Sequence, residues 1–191
     1  MTAEHKSQAP DDLVREVLGV ADADTVAGIS ALEQALASYA DDARLHFMYG
    51  SLLVSEKRFI AAHEALTRAV ALDPDFHLAR FQLGFFELTS GEAATAQRTW
   101  QPLKSLPGGH YLVCFVDGLE HLIADRFADC IAALSQGIAA NQENLPLNGD
   151  MQLIIERSKA ALGEGDSSGQ PADDVVSATS LLLGATRRTR Q

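Results

Sequence analysis

Apolar side chains recur at intervals of three and four over residues 43–56, stop at the polar pair Lys57-Arg58, and resume over 59–72 until Asp73-Pro74 ends the run. That pattern predicts two helices joined by a short turn. It returns along the chain at a step of 34 residues. Gly50, Gly84 and Gly118 share one register, and Phe47, Phe81 and Phe115 share another. Ala62, Ala96 and Cys130 make a third, and Leu66, Trp100 and Leu134 a fourth. Self-similarity at a fixed period of this size signals a stacked array of helix pairs. A glycine within one helix, facing a small residue on the next, lets two backbones approach while Leu66 or Trp100 fills the flank.

One step back from the first unit lie Gly28, Leu32 and Ala35, which fit the second helix of a degenerate leading repeat over about 11–42 whose first helix, near 12–19, is short. Residues 148–162 place Met151, Ile154, Ile155 and Leu162 on one side and suit a terminal capping helix. The helical domain is thus expected to span 11–162, with a flexible N-terminus over 1–10. Beyond it, GEGDSSGQPA reads as a flexible linker. The tail that follows carries Val175, Val176, Thr179, Leu182 and Leu183 at helical spacing, with Arg187, Arg188 and Arg190 at its end, so a short amphipathic helix over 173–184 is possible within 163–191.

These residues resemble the tetratricopeptide repeat, whose pattern orders a Gly, an Ala, a bulky residue, a second Ala and a Pro. The stretch 43–76 supplies Gly50, Phe59, Ala62, Leu66, Ala69 and Asp73-Pro74. In 77–110 stand Leu83, Gly84, Gly91, Ala96 and Trp100; 111–144 keeps Gly118, Phe127, Cys130 and Leu134 but lacks the closing proline. The resemblance implies an all-α fold, a right-handed superhelical array of antiparallel helix pairs.

Composition narrows the function. The 191 residues carry a net charge of -11, and no Lys/Arg stripe with interleaved aromatics offsets the resulting field, which argues against nucleic-acid binding. No run approaches the roughly 18 apolar residues of a membrane span, and no secretory h-region opens the chain, so a cytoplasmic location is expected. Cys114 and Cys130 form no metal-spaced set and are expected to be reduced and buried.

In the family it resembles, the first helices of successive repeats line a concave face that receives a partner's peptide or helix. Carried over position by position, that face holds Arg44, Phe47, Ser51, Val54 and Ser55, then Leu78, Phe81, Phe85, Leu88 and Thr89, then Leu112, Phe115, Leu119, Leu122 and Ile123. One arginine and no lysine are present, which disfavours capture of an acidic tail. The expectation is a scaffold or chaperone-like module whose hydrophobic groove, formed by Phe47, Leu78, Phe81, Phe85, Leu88, Leu112, Phe115, Leu119, Leu122 and Ile123, takes an apolar peptide or amphipathic helix. The alternative is a self-associating subunit, a homo-oligomer whose groove is filled by its own terminal segment, because monomers rarely leave large apolar patches open.

Catalysis is the weakest prospect. Asp117 and His121 sit four apart on one helix, with Glu87 on the preceding repeat, and a carboxylate beside an imidazole is the start of a general base or a metal site. A structural hydrogen-bonded pair accounts for them more simply. His63-Glu64 begins like a zinc-protease motif, but Thr67 stands where the second histidine belongs. Gly108-Gly109 after Pro107 marks a turn rather than a phosphate loop. Neither an enzyme, a metal nor a cofactor is expected.

Overall fold

The computed structural model describes residues 8–167, with side chains through Gly163. Nine α-helices and no strand occur among the described residues. They are α1 Asp11–Ala23, α2 Thr25–Ser38, α3 Ala43–Ser55, α4 Phe59–Leu72, α5 His77–Thr89, α6 Ala93–Trp100, α7 Tyr111–Ile123, α8 Phe127–Ala140 and α9 Leu147–Ser167. No helix among the described residues is long and apolar enough to cross a membrane.

The chain falls into two compact units, one running through Leu83 and one from Gly84 onward, with the boundary inside α5. In the first, α1 packs on α2, α2 on α3 and α3 on α4; in the second, α6 packs on α7, α7 on α8 and α8 on α9. Sequence treats 11–162 as one domain. Division arises readily where each element meets only its chain neighbours, because few contacts then tie one end to the other.

The glycine registers correspond to close helix contacts. A Cβ on Gly50 would lie 2.8 Å from Leu66 Cγ and 3.2 Å from the Ala62 carbonyl oxygen. On Gly84 it would stand 2.2 Å from Trp100 Nε1, and on Gly118 2.5 Å from Leu134 Cδ2. The glycine of each first helix therefore seats the bulky residue of the second, and Leu66, Trp100 and Leu134 are fully buried. Gly84 meets the Trp100 ring as its nearest neighbour rather than Ala96, since the indole fills the space that the missing side chain leaves.

A further 34-residue recurrence is in the backbone. Lys57, Gly91 and Asp125 all have positive φ, at 58°, 91° and 54°. Around each, two bonds close the first helix of the pair. Arg58, Glu92 and Arg126 N–H groups donate five residues back, to the Leu53, Glu87 and His121 carbonyls. Lys57, Gly91 and Asp125 donate three back, to Val54, Leu88 and Leu122. This paired pattern satisfies carbonyls that a helix end leaves orphaned, and it needs a left-handed residue at the position after the cap. Three turns of the same length and bonding thus aim α4, α6 and α8 in the same way from their first helices.

The leading pair is built differently. The first helix is not short: α1 runs 13 residues, and Asp24 alone joins it to α2, accepting the Val26 and Ala27 N–H groups as an N-cap. Gly28, Leu32 and Ala35 are buried on α2, and a Cβ on Gly28 would lie 2.6 Å from the backbone of Ala21. In 77–110, Pro102 follows closely on Trp100, and α6 gives way to a 3₁₀ turn over Gln101–Ser105. Where 111–144 lacks its closing proline, buried Asn141 ties the turn. Its side chain donates to the Asn144 carbonyl and Asn148 Oδ1 and accepts from the Glu143 and Asn144 N–H groups. The capping helix α9 exceeds its expected span at both ends, burying Met151, Ile154, Ile155 and Ser158. The possible helix 173–184 lies outside the described residues.

Candidate functional site

The ten residues expected to line a groove divide by burial. Phe81, Leu88, Leu112, Phe115, Leu119 and Leu122 are buried, none more than 4% exposed. Phe47, Leu78, Phe85 and Ile123 are half-buried. Phe115 shows why the first group is closed: a Cβ on Gly137 would lie 2.4 Å from Phe115 Cδ1, so the ring packs on α8 within its own helix pair. Tyr111 meets Phe115 edge-on at 5.8 Å. The glycine–bulky contacts leave room for more apolar residues between the helices of a pair, and the stripe assigned to a partner supplies some of them.

The half-buried group differs in character along the chain. Phe47 meets Phe76 at 5.1 Å between ring centres, so one flank of its ring is covered locally. Val54, about two turns beyond, is also half-buried. The hydroxyls on this face turn inward: Ser51 Oγ donates to the Phe47 carbonyl, and Thr89 Oγ1 donates to those of Phe85 and Phe86. Such bonds to the preceding turn remove the donors from reach of a ligand. Apart from Arg44, what the expected face leaves partly open is therefore mainly hydrocarbon, from Phe47, Val54, Leu78, Phe85 and Ile123.

Arg44, the single cation expected on the face, is engaged. Its Nη1 pairs with Asp11 at 2.7 Å, its Nη2 with Asp42 Oδ2 at 2.8 Å, and its Nε donates to Asp42 Oδ1 at 3.1 Å. Asp42, 1% exposed, also receives the Ala9 N–H at 2.7 Å, while Arg44 Nη2 donates to the Ala9 carbonyl at 2.6 Å. Burial opposes ionisation of Asp42, but the bonds from Arg44 and Ala9 outweigh it and hold the carboxyl below its usual range. Ala9, placed by sequence in a flexible N-terminus over 1–10, is thus seated against the start of α3. Only the cap was foreseeable, from an acid just before a helical run; a partner 33 residues away leaves no local signal.

The Asp117–His121 pair does not form. Both side chains are half-buried, and buried His121 Nδ1 finds no hydrogen-bond partner among the described residues. Spacing of four brings two helix residues close, but a carboxylate still in reach of water gains little from the bond. Buried Glu87 instead accepts from Thr99 Oγ1 at 2.7 Å, across to α6. Burial pushes the Cys114 and Cys130 thiols above their usual range, with Asp117 adding to the effect at Cys114 and Ser158 opposing it at Cys130. Both are free and buried, so neither is a ready thiolate nucleophile. No group of three or more His, Cys, Asp or Glu side chains with metal-holding geometry occurs among the described residues.

A separate cleft of about 300 Å³ lies between α1 and α2, lined by Leu13, Glu16, Val17, Val20, Ala31, Gln34, Ala35, Ser38 and Tyr39. Its walls are the same-face positions of two helices, apolar at the floor and polar at the rim. No protein-family model matches the chain, and no curated protein or solved structure matches it at a significant level.

Proposed function

We propose that this chain is a tetratricopeptide-type array that binds another protein through the open part of its first helices. The observation that carries this reading is that Phe47, Val54 and Leu78 in one unit, and Phe85 and Ile123 in the other, keep partial exposure on helices whose glycine faces are already occupied. Partly open hydrocarbon on rigid helices suits the anchoring side chains of an apolar segment, whose burial supplies the affinity. The right-handed superhelix belongs to the same proposal, supported by the 34-residue recurrence of contacts and turns.

The binding surface so defined is smaller than the ten-residue stripe. Single changes Val54→Lys and Phe85→Lys test it, because both sites are half-open and a lysine can extend into solvent from either. Each variant is expected to melt within a few degrees of the parent while losing co-purification of the partner by tenfold or more. Retained co-purification by both variants contradicts the proposal.

Burial of Phe81 and Phe115 favours a second reading for the closed part of the stripe, that it serves the chain's own core. On that reading the six buried residues set stability, and the role of the array is structural or self-associating.

A further inference from the structure

We propose that the head of α3 is a recognition site for an extended peptide of the form small residue, proline, acid, occupied in this chain by its own Ala9-Pro10-Asp11. The site shares Arg44 with the expected concave face but uses none of its apolar residues, so it stands or falls without their binding role. Asp42 takes the backbone N–H of Ala9 and Arg44 takes its carbonyl, so both backbone polar groups of one residue are held by opposite charges, at 2.7 and 2.6 Å. Charge-assisted bonds of this kind are the strong class, and they read the backbone whatever its side chain.

Selectivity comes from what surrounds them. Ala9 is 4% exposed and belongs to the cluster with Val17, Leu32, Ala35 and Leu45, so a larger side chain has no room there. Pro10 has φ -57° and ψ 142°, the extended conformation its ring already favours, which lowers the ordering cost for any ligand that carries it. Asp11 then meets Arg44 Nη1 at 2.7 Å, although its side chain is 80% exposed, making the acid a preference rather than a requirement. Arg44 bonds both to the bound segment and to Asp42, whose Oδ1 also takes the Arg44 N–H at 2.9 Å, so the receptor half is preorganised. The bound segment is three residues long and passes directly into α1 at Asp11, and the groups that hold it, Asp42 and Arg44, lie on a different element, so the same three residues supplied from outside present the same atoms to them.

The test uses the full chain and a fluorescent peptide of residues 1–12. The Ala9→Arg chain, whose own segment no longer fits, is expected to bind this peptide at least tenfold more tightly than the wild-type chain does by anisotropy. Binding is expected to disappear when Asp42→Asn is added, and a peptide carrying Ala9→Arg is expected to bind neither chain. Equal binding to wild type and variant, or binding indifferent to Asp42→Asn, overturns the proposal. If Ala9→Arg does not fold, the wild-type chain decides the matter: excess peptide must accelerate hydrogen exchange at the Ala9 amide, and an unchanged rate overturns it.

Discussion

Lys57 and Asp125 hold a backbone conformation that costs an L side chain about 1–2 kcal/mol, while Gly91 enters it freely. The repeat therefore carries strain at two of three equivalent turns. Lys57→Gly and Asp125→Gly are each expected to raise stability by about 0.5–1 kcal/mol after the entropy of the unfolded glycine is charged against them, and Gly91→Ala to lower it by about 1 kcal/mol. Denaturant midpoints measure all three, and a loss of stability in either glycine variant contradicts the bonding scheme. Asp42 gives a pH signature at the same scale. Its folded carboxyl ionises more readily than the unfolded one, so its contribution is present above the unfolded value near pH 4 and is lost as pH falls through the lower folded value. The Asp42→Asn chain is expected to lose less stability than the parent over that acid range, and parallel acid curves would show that Asp42 is not held as described.

Among the helices, the same missing side chain has unequal consequences. A Cβ at Gly84 strikes the rigid indole of Trp100, whereas at Gly118 it strikes Cδ2 and Cγ of the more flexible Leu134 and stands 3.2 Å from its backbone nitrogen, so only part of the clash can be relieved by rotating the side chain. Gly84→Ala is expected to cost about 2–3 kcal/mol and Gly118→Ala somewhat less, with Gly149→Ala, which meets nothing within 4 Å in the first turn of α9, stabilising by about 0.5 kcal/mol. Thermal melting of the three ranks them, and a Gly84→Ala chain as stable as the parent would contradict the packing. The helix pairs were legible because glycine and bulky residues repeat at a fixed step, which only stacked pairs explain. The left-handed turns were not, since lysine, glycine and aspartate share no composition; backbone demand alone unites positions 57, 91 and 125. Nor was the fate of Phe115 legible: position on a helix shows which face a ring takes, but not that Gly137 on α8 leaves a hollow to receive it.

For the molecule, the apolar stripe divides into six buried residues and four half-buried ones, and on the proposed reading the buried ones set stability while the half-buried ones bind. Phe81 and Phe115 are fully buried, and truncation of a buried Phe costs about 3–5 kcal/mol, so the Phe81→Ser, Phe115→Ser double change is expected to abolish cooperative melting. This reverses what an open groove would give, namely a folded chain that fails only to bind. Deletion of residues 168–191 leaves every described helix intact in sequence, and cooperative melting by circular dichroism is expected to survive it. The most direct measurement of the central claim is photo-cross-linking in the native host, with a benzophenone side chain placed at position 54 or 85 and, as a control, at exposed position 64 on α4. Adducts to the same partner are expected from 54 and 85 and none from 64; adducts from 64 alone, or from no position, would overturn the proposed binding face.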